Sequence, residues 1–170
     1  MKEIDRRDFI KTVAIGGAVL ATGDPLLHKP LEAAPSSGQV EVLWLGHSTF
    51  SITSTTGKVI VMDPFFKRNP RAPAKYKDLE ALGKVDLILV THGHGDHIGD
   101  LPELAKITGP TVVANFELGN NLVALGFLDG SKTISMNKGG TVAPLGPGIK
   151  VHMVAADHSS SVDLVAIKPD

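Results

Sequence analysis

A chain of 170 residues, 42% hydrophobic and 21% charged, is long enough for one domain with a real core and too apolar to stay disordered. Its formal net charge of -1 offers no basic field for nucleic acid and no polybasic patch for an anionic membrane, which leaves a small-molecule substrate as the expected partner. With no cysteine, disulfides, thiolate metal sites and cysteine nucleophiles are excluded, so any transition-metal centre must draw on seven histidines and on carboxylates.

Residues 1–34 read as a leader and linker. Arg6, Arg7 and Lys11 precede an apolar run from Val13 to Ala21, the order of a secretory signal. That run falls short of the ~20 residues a spanning helix needs, so no stable membrane span is expected. Arg6-Arg7-Asp8-Phe9-Ile10-Lys11 is similar to the twin-arginine consensus, although Asp5 stands where Ser or Thr is usual. A periplasmic location is therefore expected, by a route that exports folded proteins. The alternative is a short N-terminal helix packed on the domain.

Pro25, Pro30, Pro35 and Ser36-Ser37-Gly38 form a breaker-rich linker, and a domain over residues 39–170 is expected to follow. Val40 to Leu45, Thr49 to Thr53 and Lys58 to Met62 are short runs rich in β-branched and aromatic residues, which predict an antiparallel meander. Pro64 to Pro73 predicts a loop, Ala74 to Leu82 a weak helix, and Val85 to Val90 a strand covered on both faces. Asp100 and Glu103 have the spacing of a capping box, with Pro102 in the first turn, for a helix from Leu101 to Ile107 that Gly109-Pro110 ends. Thr111 to Ala114 predicts a strand, Phe116 to Leu125 a helix and Ile149 to Ala155 a further strand. Strands alternating with helices after a meander make an α/β fold with a mixed sheet.

The chemistry concentrates in Thr91-His92-Gly93-His94-Gly95-Asp96-His97. Three imidazoles and a carboxylate directly after a buried strand can converge on a metal. The i, i+2 spacing puts His92 and His94 on one side of extended chain, and Gly93 and Gly95 permit tight or positive-φ backbone between them. Neutral imidazole suits Zn, Fe or Ni, and the carboxylate also admits Mn, so ligand type does not fix the metal. A metal held by three protein groups with one open position lowers the pKa of bound water to ~7. The competing reading is a chance cluster of surface histidines. Ser159, Ser160 and Ser161, which follow His158, lack the strand-turn-helix setting of a serine nucleophile.

His92-x-His94-x-Asp96-His97 resembles the His-x-His-x-Asp-His motif of the metallo-β-lactamase superfamily. The stretches Val42 to Ser48, Val61 to Phe65, Asp96 to Asp100, Val112 to Asn115 and Ala156 to Ser160 are similar to the branch that includes ascorbate-6-phosphate lactonase-like proteins. The resemblance implies an αββα sandwich, of which this chain carries the N-terminal ββα half. It implies a metal-dependent hydrolase that cleaves an ester, lactone, amide or phosphoester bond. The cofactor it implies is a pair of divalent ions, zinc first and Mn or Fe as alternatives, with His92, His94 and His158 on one ion and Asp96 and His97 on the other. A hydroxide bridging the ions would be the nucleophile, and Asp96, the catalytic residue in this reading, would help orient it. Asp63 matches a carboxylate that supports the ligand loop through outer hydrogen bonds; by itself it reads as a turn residue before Pro64. His47 matches the family's Gly-His turn and either approaches the site or is a strand-end residue held by backbone. Asp157 reads as a turn residue and His152 as a structural one.

The family pattern also needs a bridging Asp and a last His beyond His158, where only residues 159–170 remain. Asp163 and Asp170 do not match that context, and no later histidine is present. The expectation is a truncated chain with one apolar sheet face uncovered, completed by an oligomer or by a missing C-terminal half. The alternative function is a non-catalytic protein that binds a single metal through His92, His94 and His158 or serves as an interaction module.

Overall fold

The computed structural model describes residues 38–162 and 164–167. The leader expected over residues 1–34, with His28, and the carboxylates Asp163 and Asp170 lie outside the described residues.

Strands β1 (Glu41–Trp44), β2 (Phe50–Thr53) and β3 (Val59–Met62) form an antiparallel meander, with Val42 opposite Ile52 and Ile52 opposite Ile60. β4 (Leu87–Leu89), β5 (Thr111–Asn115) and β6 (Thr133–Met136) then add in parallel, so the described strands make a mixed sheet in the order β1-β2-β3-β4-β5-β6. Each parallel step requires the chain to cross back over one face. Between β4 and β5 the crossover is α1 (Gly95–Ile98) and α2 (Leu101–Thr108); between β5 and β6 it is α3 (Phe116–Ala124).

Between β3 and β4, the weak helix expected over residues 74–82 is two 3-10 turns, Ala74–Lys77 and Leu79–Leu82. Asp78 divides them: its backbone is extended and its side chain accepts from the backbone N of Glu80, which starts a new turn. α2 ends at Gly109 in the left-handed conformation, where a residue without Cβ is at ease. Its start differs from the capping box that the spacing suggests. Asp100 makes no side-chain cap; its Oδ2 accepts from the backbone N of Phe66 and of Lys67, which ties the 64–73 loop to the helix. Glu103 pairs with Lys67 Nζ instead of the cap position.

Alternation along the strands sends Val61, Ile88, Val112 and Ala114 to the helix-covered face, where they pack with Leu104 and Leu122. Full burial of the Val, Ile and Leu side chains among them contributes about 1.5–3 kcal/mol each. The opposite face carries Ile60, Leu87, Val113 and Met136, and is covered by a hairpin of β7 (Thr141–Val142) and β8 (Val151–His152) together with Leu145 and Ile149. That cover stops short of β1, where Val42 and Trp44, on the same face, remain 60% and 52% exposed. The expected strand from Ile149 to Ala155 is reduced to β8, which pairs with β7, and is followed by Met153, whose N and O bond to the turn at Gly140 and Gly139. No helix among the described residues is long and apolar enough to cross a membrane.

Candidate metal centre

Because β3 and β4 are parallel neighbours, the residues that follow them meet at one end of the sheet, the end where open α/β sheets bind ligands. Asp63 follows β3. It is buried at 1% exposure and holds a positive φ of 48°, a costly conformation for a residue with a side chain. Its neighbours fix it there: its N donates to Leu89 O at 2.9 Å, and its O accepts from Thr49 Oγ1 at 2.7 Å.

The Asp63 carboxylate faces the loop after β4. Oδ1 accepts from Thr91 N at 2.8 Å, and Oδ2 from Thr91 Oγ1 at 2.7 Å and His97 Nδ1 at 2.8 Å. A carboxylate only accepts, so the network assigns the proton of His97 to Nδ1 and leaves Nε2 with its lone pair. The same logic runs one step further. Thr91 gives its hydroxyl proton to Asp63, so at 3.0 Å the Thr91 oxygen accepts from His92 Nδ1, and His92 Nε2 also keeps a lone pair.

These lone pairs point into two groups. His92 Nε2 lies 3.0 Å from His94 Nδ1, and the His158 ring stands edge-on to both, with centroids 4.7 and 4.9 Å away. One nitrogen from each of His92, His94 and His158 falls within 4.8 Å of the others. The second group, to the same tolerance, is His47, Asp96 and His97. Here Asp96 Oδ2 lies 2.8 Å from His47 Nε2 and Oδ1 lies 3.9 Å from His97 Nε2. The His92 and His97 rings are 4.0 Å apart, so the groups are adjacent.

The electrostatics at His92 disfavour its protonation. Burial, and then the neighbouring rings of His97, His94 and His158, hold the His92 pKa below its ordinary value against the opposing pull of Asp63. Burial alone would raise the Asp96 pKa, but the hydrogen bond from His47 and its own backbone N–H, with the positive charge His97 and His47 carry when protonated, outweigh it and hold it low. Imidazole nitrogens beside a carboxylate are the donor set of a borderline divalent ion such as zinc. Two ring nitrogens facing each other at 3.0 Å can share one proton or one cation, so the residues fit a metal.

All seven residues singled out from the sequence, His47, Asp63, His92, His94, Asp96, His97 and His158, lie at this end of the sheet. His152 does not join them; its Nδ1 pairs with Thr141 Oγ1 at 2.7 Å. Neither Gly93 nor Gly95 takes a positive φ, contrary to one use suggested for them. A Cβ on Gly93 would stand 2.8 Å from Ser161 O, so its lack of a side chain serves the close approach of the segment after His158. Ser160 Oγ accepts from Gly93 N at 3.2 Å across the same contact. The relay through Thr91 has no signal in the sequence beyond its place between the strand and His92. An open cavity of about 660 Å³ borders the second group, lined by Phe65, Arg68, His94, Gly95, Asp96 and Ser161. That is room for a small molecule.

Residues 58–168 match the family described as Beta-lactamase superfamily domain. A protein of Polaromonas sp. named as a metal-dependent hydrolase is 51% identical over 138 residues, which cover 81% of this chain and 50% of the relative. One of Cupriavidus necator, also named as a metal-dependent hydrolase, is 45% identical over 155 residues, or 89% and 54% of the two chains. Among solved structures, a metallo hydrolase from the hyperthermophilic archaeon Ignicoccus hospitalis superposes with a TM-score of 0.62 at 32% identity, covering 71% of this chain and 50% of that one. The chain spans about half the length of the curated relatives it matches.

Proposed function

The chain belongs to the Beta-lactamase superfamily, and from that premise we propose that its histidine cluster serves a metal-dependent hydrolase acting on an ester, lactone, amide or phosphoester of a small molecule. His92, His94 and His158 would hold one divalent ion, and Asp96 and His97 a second. When bound, such ions supply a Lewis acid and a reactive water near neutral pH. The protein's own contribution is to keep the donors in order. Asp63 and Thr91 fix which nitrogen of His97 and of His92 is free, Asp96 stays ionised, and the cavity beside Asp96 and Arg68 receives the substrate.

The observation that carries this reading is the convergence of imidazoles from two distant segments, His92 and His94 with His158, within 4.8 Å. Zinc is the metal we propose, from the imidazole-rich donor set; Mn or Fe satisfies the carboxylate-bearing group equally by donor type. Export through the twin-arginine route belongs to the same proposal and rests on Arg6-Arg7-Asp8-Phe9-Ile10-Lys11 alone.

The purified chain, reconstituted with zinc, is assayed for metal content and for turnover of lactones, aryl esters and phosphodiesters. Stoichiometric metal lost on His92→Ala, together with turnover of one class, supports the proposal. Protein that carries no metal at stoichiometric level overturns it. The His92, His94 and His158 group offers three donors by itself, which allows a second reading, a binder of one ion without hydrolysis. One bound ion and no turnover of any of the three classes selects that reading.

A further inference from the structure

We propose that His47 is a positioning residue: its imidazole donates to Asp96 Oδ2 and holds the carboxylate so that Oδ1 faces His97 Nε2. The proposal rests on the metal role given above to Asp96 and His97. The His47 Nε2 to Asp96 Oδ2 distance is 2.8 Å, and the remaining oxygen lies 3.9 Å from the His97 nitrogen. An ionised carboxylate can only accept, so His47 is the donor and one Asp96 oxygen is committed to it. The other oxygen is the one left to a cation shared with His97.

The turn carrying His47 is built to aim this ring. His47 has a φ of 53°, a left-handed conformation that a residue with a Cβ keeps only where its surroundings over-determine it. Here they do. Trp44 Nε1 donates to His47 O at 2.9 Å, Thr49 N donates to Gly46 O at 3.0 Å, and Leu45 N donates to Thr49 O at 2.9 Å. Gly46, at φ 94°, packs so tightly on the 69–73 loop that a Cβ would lie 2.8 Å from the carbonyl carbon of Arg71. The ring itself stands edge-on to Phe65 and to His97, with centroids 5.9 and 5.6 Å away. Thr49 links the two supports of the second group, because its hydroxyl donates to the backbone O of Asp63 at 2.7 Å. Asp63 orients His97 and His47 orients Asp96, and both hang on one short turn.

The test is a Co²⁺ titration of the full chain, followed by visible absorption, for wild type, His47→Ala and His47→Gln. Loss of an outer hydrogen-bonding partner weakens metal affinity by roughly 10–100-fold. That loss is expected for the second ion in His47→Ala, with the first ion, on His92, His94 and His158, bound as in wild type. His47→Gln, whose amide Nε2 can donate to the same oxygen, is expected to recover most of the affinity with an unchanged spectrum.

Equal second-ion affinity in wild type and His47→Ala overturns the proposal. So does equal weakening of both ions, the mark of a merely structural role, or a His47→Gln protein as weak as His47→Ala with an altered spectrum, the mark of a direct ligand. If His47→Ala fails to fold, His47→Asn replaces it, since Asn tolerates the left-handed backbone but is too short to reach Asp96. A wild-type chain that takes up one ion only overturns the metal role of Asp96 and His97 first, and the role of His47 with it.

Discussion

Oδ2 of Asp63 lies 2.8 Å from Nδ1 of His97, and the same carboxylate accepts from both the backbone N and the hydroxyl of Thr91. A single buried group at the end of β3 therefore sets the orientation of one ring and the entry of the whole histidine loop. Through Thr91 its influence reaches His92, which belongs to the other donor group.

Asp63→Asn retains the shape, and Asn tolerates the positive φ, but the amide nitrogen cannot accept from Thr91 or His97. We expect the second-ion affinity to fall by roughly 10–100-fold. Stability should fall by about 1–3 kcal/mol, the cost of a buried donor left unpaired. Metal titration and urea unfolding measure the two. Unchanged metal affinity would remove Asp63 from the site.

Thr91→Val keeps the bulk and deletes the relay. His92 Nδ1 then loses its acceptor, and the ring no longer holds Nε2 free for a cation. The expected result is a drop of roughly 10–100-fold in first-ion affinity, restored by Thr91→Ser. A zinc-competition assay reads it, and a Thr91→Val protein that binds like wild type contradicts the relay.

Gly93→Ala places a methyl 2.8 Å from Ser161 O and 3.3 Å from Leu118 Cδ1. The segment that carries His158 must retreat, at a cost of about 1–3 kcal/mol for overpacking. First-ion affinity falls with it. Gly148→Ala, where a Cβ meets nothing within 4 Å, is the control and should change stability by no more than about 0.5 kcal/mol. Thermal unfolding of both variants, with and without zinc, separates the effects.

Asp86 contributes to the acid dependence of the fold. Its side chain, 8% exposed, accepts from Val59 N at 3.0 Å, Lys58 Nζ at 3.2 Å and Lys84 Nζ at 2.9 Å. Burial pushes its pKa up, but those bonds outweigh burial and hold it below the ordinary carboxylate value of 3.8. The unfolded chain therefore takes up a proton at higher pH than the folded one. The stabilisation is complete above the unfolded pKa of about 3.9 and is lost as pH falls through the folded value. Asp86→Asn should lower stability near neutral pH by about 1–3 kcal/mol and flatten this acid slope. Chemical unfolding from about pH 6 down to pH 2 tests it, and an unaltered slope in the variant rules it out.

The parts legible in the sequence are those where one residue type repeats at a short interval. β1 to β3 show as runs of Val, Ile and Thr between Gly-bearing turns, and the His92 to His97 cluster needs no tertiary information to be seen. β6 carries a weak strand signal: Thr133-Ile134-Ser135-Met136 has two hydroxyl residues, and it is a strand because β5 presents an edge to it. β7 is likewise made by its pairing with β8. Asp100 has the spacing of a cap, yet the amides of Phe66 and Lys67, brought up by the folding of a distant loop, compete for its carboxylate and win. His47 and Asp96 are 49 positions apart, and no local periodicity relates them. Their meeting follows from the meander that carries the Gly46-His47 turn to the same end of the sheet as the loop after β4.

In the β3 and β4 ladder Val61 stands opposite Ile88 and Met62 opposite Leu89, and Asp63 is the next residue past that pairing. One residue of strand advances ~3.3 Å, more than the length of a hydrogen bond, and reverses the face of every side chain. A slip of one step would carry the Asp63 carboxylate beyond reach of Thr91 and His97 together. The alignment of two short hydrocarbon strands is thus the gauge by which the polar end of the molecule is set, and the tolerance of that end is the tolerance of the oil-filled ladder beneath it.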